Sequence, residues 1–204
     1  MGKLKNWLAR RQLPVRSTDD LGAFLSRYAA FIAQKCADDY CRNKVGLSHY
    51  ALNEEKTYRD ALHVCRLEGY VAVLVGLAAV TQRFLLDSGL DAGRIEAGLV
   101  ALCARLLARH PVPASRPQGW QEVVASLPER LRAARAEPPP SFAEHAAAAG
   151  RRLFEVLPLH PSYRQHDEPV VIGAVQFNFV GFSDRFRRDV DVEAIGRELS
   201  REAS

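Results

Sequence analysis

Two clusters of polar side chains stand where this chain could do chemistry. One is Gln34, Lys35, Asp38, Asp39 and Tyr40; the other is Glu54, Glu55, Tyr58, Arg59 and His63. Carboxylates placed beside an imidazole and a phenol can act as general acid and base. Arg27, Asp39, Glu55, Tyr58 and His63 are therefore the candidate catalytic residues of a hydrolase-like site, with a carboxylate or the imidazole as the base. The competing expectation is a structural lock. Buried charges need partners, and a Lys35–Glu55 or Arg59–Asp39 pair across a helical seam would supply them.

Other constellations are weaker. Cys36, Cys41, His63 and Cys65 are the residue types that bind zinc, but Cys36 and Cys41 are five apart and fall on different faces of a helix. No Glu-x-x-His motif occurs, as a carboxylate-bridged metal bundle would need. Neither a metal nor a cofactor is expected. The segment 158–169 carries His160, Tyr163, Arg164, His166, Asp167 and Glu168; such a loop could hold an anion or a metal, or be simply solvated. Ser48 and Ser183 follow Gly46-Leu47 and Gly181-Phe182, yet Tyr50 and Arg185 stand where a nucleophile elbow needs glycine. No glycine-rich phosphate loop is present.

The elements that must position these residues are helices. Leu21, Leu25, Tyr28, Ile32 and Cys36 recur at helical spacing, predicting helix 1 over 19–44, with Thr18 as its cap and Gly46 as its stop. Asn53 is expected to cap helix 2, whose stripe runs Tyr58, Leu62, Cys65, Gly69, Val73, Gly76, Val80 and Phe84 before Ser88-Gly89. A turn near 47–52 makes these two an antiparallel hairpin. Its unbroken apolar run, Gly69 to Val80, has 12 residues by its numbering, against the roughly 20 that span a membrane, so it is expected to be a buried axis. Gly69 and Gly76 suggest a closely packed neighbour.

Further helices are expected over 92–109 behind Asp91, over 118–136 with a break at Pro128, and over 142–156 behind the capping box of Ser141 and Glu144. The segment 170–182 mixes strand-type residues with helical spacing of Ile172, Val175, Phe179 and Phe182. It is read as helix, because a lone strand would have no partner. Asp191 then caps a terminal helix to about Glu202. The expected fold is all-α: a single-domain bundle of about seven helices over 18–204, with proline-rich linkers near 111–117 and 138–140, preceded by a basic leader over 1–17.

The strings FLSRYAAFIAQKCADDY, TYRDAL and YVAVLVGLAAV resemble an uncharacterised bacterial all-helical family. Phe24, Arg27, Ala30, Phe31, Ala33, Gln34, Lys35 and Tyr40 carry the likeness, which covers roughly 21–86. Members are sometimes labelled esterase. The likeness thus implies a helical fold and, weakly, ester hydrolysis, although the chain lacks G-x-S-x-G.

Composition narrows the partners. The net charge is +4, with arginines scattered in pairs rather than gathered in a stripe, so nucleic-acid binding is not expected. The four cysteines form no C-x-x-C pair, which suits a reducing cytoplasm. No apolar signal segment follows the basic N-terminus. In the leader, Leu4, Trp7 and Leu8 share one helical face among Lys3, Lys5, Arg10 and Arg11. They are the expected anchors for a protein partner or for weak contact with a membrane surface. The expected function is a non-catalytic cytoplasmic binding, assembly or regulatory protein. Esterase-like hydrolysis at the hairpin seam is the alternative, and weak membrane or nucleic-acid association through basic residues a second one.

Overall fold

A computed structural model describes residues 14–87, 89–136 and 140–202. These form helices α1 (Thr18–Val45), α2 (Ser48–Glu54), α3 (Lys56–Leu86), α4 (Ala92–Leu107), α5 (Gln121–Ala133), α6 (Phe142–Glu155), α7 (Glu168–Asp189) and α8 (Val192–Glu202), with a 3₁₀ turn at Pro161–Tyr163. The fold is an all-α bundle. The leader, with Leu4, Trp7 and Leu8, lies outside the described residues.

α1 and α3 are the antiparallel hairpin. Ala33 meets Gly69, Ser26 Oγ lies 3.1 Å from Tyr70 Oη, and Asp38 meets Arg66. Two boundaries differ from the sequence reading. Ser17, not Thr18, caps α1, because its Oγ accepts from Asp20 N at 3.1 Å. The expected turn over 47–52 is itself helical, so Asn53 sits inside α2 and Glu55 takes the cap position of α3 in extended backbone. Gly46 ends α1 at φ 55°, and its N–H donates to Arg42 O.

α3 is the axis. It is long and apolar enough to cross a membrane, and 72% of its apolar window is buried by the other helices. α1, α4, α5 and α6 all pack on it. Gly76 lets α6 and α7 close in: a β-carbon there would sit 3.0 Å from Phe179 Cζ and 3.3 Å from His145 O. The segment 170–182 is helical, and Val175, Phe179, Phe182 and Phe186 bury one face of α7. Phe186 stacks on Phe84 at 4.9 Å, and Phe84 meets Phe142 at 5.2 Å. Val15 and Val190 form a parallel bridge, with Val15 N donating to Asp189 O at 2.8 Å.

Candidate functional site

The hairpin's hinge end does not assemble the expected seam. Arg27, Glu55 and His63 are exposed. Lys35 pairs with Asp39 one turn along its own helix at 2.7 Å, and Arg42 also holds Asp39. Arg59 donates to the carbonyls of Asn53 and Glu54 at 2.9 and 2.6 Å. The expected Lys35–Glu55 and Arg59–Asp39 pairs do not form among the described residues: Lys35, Asp39 and Arg59 find nearer partners on their own helix or turn, and Glu55 is exposed. The seam is crossed instead by Arg66, which grips Asp38 at 2.7 and 2.8 Å.

Tyr58 is buried, and its hydroxyl has no hydrogen-bond partner among the described residues. Burial raises the phenol well above its ordinary range, and the neighbouring Cys41 adds to the effect. At neutral pH the phenol therefore keeps its proton and is no base. Asp39 lines a cavity of about 320 Å³ between α1 and α7, without Arg27, Glu55, Tyr58 or His63. That cavity therefore does not gather the five candidates.

The remaining candidates are scaffolding. All four cysteines are buried thiols; burial pushes Cys36 to about 11, and Cys65 and Cys103 to about 12. His63 is exposed, away from them. In the 158–169 loop, Asp167 accepts from Tyr40 Oη at 2.8 Å and pairs with Lys44 at 2.5 Å. Arg164 donates to the Phe154 carbonyl at the end of α6. Ser183 Oγ donates back to Phe179 O at 2.9 Å.

The structure puts its most unusual charge elsewhere. Glu68, in the middle of α3, is 3% exposed. Arg116, from the α4–α5 connection, grips it with two bonds, Nε to Oε1 at 2.6 Å and Nη2 to Oε2 at 2.7 Å. Arg152 of α6 adds a third, at 3.0 Å. Burial works against the Glu68 charge, but the two guanidinium groups outweigh it and hold the carboxyl below its usual range. Arg116 is held in turn by the Trp120 ring, 5.3 Å away. A triply bonded carboxylate held below its usual pKa range is a lock and a poor base.

This lock stands between two hollows. On one side lies a groove of about 690 Å³ with α3 as its floor and α5 and α6 as its walls. It exists because α5 and α6 both pack on α3 but barely on each other, and because the residues facing across it are small. Val71, Ala72, Val75 and Ala79 make the floor, with Ala133 and Ala134 on one wall and Ala148 and Ala149 on the other. The rims carry Arg130 and Arg151, with Glu122 and Glu144. His145 lines the groove too, and burial lowers its pKa, favouring the neutral ring. On the other side of the lock, residues 115–119 enclose a polar cavity of about 550 Å³.

Sequence reasoning passed over Glu68, Arg116 and Arg152. The available signal was a carboxylate on the Cys65–Gly69–Ala72 side, at the edge of the apolar run that follows it. No family model matches the chain, and no curated protein or solved structure gives a significant match.

Proposed function

We propose that this protein is a non-catalytic helical binding protein of the cytoplasm, and that the α5/α6 groove holds an amphipathic helix of a protein partner. One observation carries the reading: α3 offers an apolar, alanine-walled floor between two helices that leave each other free. The floor from Glu68 to Ala79 runs about 16 Å at 1.5 Å per residue, or three helical turns. An apolar centre with a charged rim is the anatomy of a protein interface, and a helix laid in such a groove anchors through side chains one turn apart. Buried, unpaired thiols fit a reducing compartment. Ester hydrolysis finds less support, since the cavity holding Asp39 lacks the other candidates and the one deeply buried carboxylate among the described residues is locked by arginine.

Filling the groove tests this. Ala72→Leu and Ala148→Leu should leave the fold intact and remove a partner that the wild-type chain captures from its own cell extract and that a peptide of the partner's helix competes away. If both variants capture the same proteins with the same affinity, the groove is not the site.

A further inference from the structure

The helical glycines fall into two groups. At Gly69, Gly98 and Gly150 a β-carbon would lie 2.6 Å from Leu153 Cδ1, 2.9 Å from Leu199 Cδ2 and 2.8 Å from Ile172 Cα. With Gly76, these positions are small because another helix rests on them. Gly173 and Gly181 of α7 differ, since nothing lies within 4 Å of either. Each costs the helix about 1 kcal/mol against alanine, and no neighbour among the described residues accounts for it.

These two glycines flank Phe177, one four residues before it and one four after, so all three share a face of α7. Phe177 is 79% exposed, with Val180 at 62% and Val170 at 61% beside it. On the adjoining edge of α1, Phe31 is 51% exposed; it lies one turn from Lys35, which lines a cavity together with Ala174 and Asn178. Four of the eight large exposed apolar residues among those described thus gather on one face. No residue of this face lines the α5/α6 groove.

We infer that a second copy of the chain docks here, α7 against α7, antiparallel about a two-fold axis through Phe177. A two-fold interface must complement itself, and the central part of this face, from Gly173 to Gly181, does so, with Val170 and the exposed Asp184 opposed at its two ends. Under that axis Gly173 of one copy faces Gly181 of the other, and Ala174 faces Val180. The paired glycines let the two backbones approach, and each Phe177 ring lies over its neighbour's glycine flats. The four exposed side chains present roughly 450 Å² per copy, on the sizes usual for such residues. Two copies would bury roughly 900 Å² from these alone, before the exposed Gly173, Ala174 and Gly181 between them are counted, against the roughly 1,200 Å² where stable interfaces begin.

Sedimentation velocity on the full chain at micromolar concentration tests the inference. The wild type should sediment as two chains, while Phe177→Asp should weaken self-association roughly tenfold or more, as loss of a central aromatic anchor does. Gly173→Ile should also break the dimer, with helicity unchanged by circular dichroism. Tyr50→Asp, at an exposed residue on α2, should keep it. Phe177→Cys should cross-link to itself under mild oxidation, and Val170→Cys should not. A wild type that sediments as one chain overturns the inference, as does a dimer that survives Phe177→Asp. A monomer that dimerises only after residues 1–13 are deleted assigns the face to the leader and overturns it too.

Discussion

The hinge end of the α1/α3 hairpin and the middle of α3 treat charge in opposite ways. At the hinge, Lys35, Asp39 and Arg42 are half-exposed and pair within one turn of a single helix. In the middle, Glu68 is buried and draws Arg116 and Arg152 from segments 48 and 84 residues away. An exposed pair is solvated with or without its partner, so it contributes little. A buried carboxylate is tolerable only when its partners are in place, so it fixes where those partners sit. The density of polar residues along the chain therefore does not mark where the buried charge lies. The one buried carboxylate of α3 among the described residues marks where three segments must meet.

The largest expected effect separates these two regions. Glu68→Ala takes the shared carboxylate from Arg116 and Arg152 and should cost about 3 kcal/mol in denaturant unfolding. A loss under 1 kcal/mol would erase the contrast with the hinge. Acid should show the same asymmetry. Because the folded pKa of Glu68 is depressed, its stabilisation is fully present above the unfolded carboxyl value of about 4.3. It is lost as pH falls through the lower folded value. Stability measured from pH 5 downward should fall less steeply in Glu68→Gln than in the wild type.

A smaller effect of opposite sign belongs to the groove. Ala148→Leu adds apolar contact where the walls stand apart, and should raise stability by up to about 1 kcal/mol while removing the partner. A fall in stability would mean that the groove has no room for a side chain of its own. The smallest effect is at the hinge, where Asp39→Ala should change stability by no more than about 0.5 kcal/mol. A thermal melt that drops further would promote that end of the hairpin to a structural lock.

Much of the fold was legible because its signals are local. The Ser141–Glu144 capping box, the Asp91 cap of α4 and the Gly46 stop of α1 stand where the sequence places them. Helical spacing of Val175, Phe179 and Phe182 outweighed the strand-like composition of α7. α2 was missed because seven residues without a buried side chain leave no periodic stripe to read. The candidate site was not legible, since nothing in the spacing of Glu68, Arg116 and Arg152 says that they meet. The groove is harder still. It arises from two helices failing to touch, and its trace in the sequence is only a scatter of alanines on three elements.

The Val15–Val190 bridge sets a timetable for the newborn chain. α1 enters the bundle through backbone bonds to residues 189 and 191, and Thr18 N is received by Glu198 of α8. During synthesis at roughly 5–20 residues per second, the first helix must wait on the order of ten seconds or more for the α7–α8 junction that anchors its entry. Fragments that stop short of residue 190 leave that entry unmoored, whatever else of the bundle has formed.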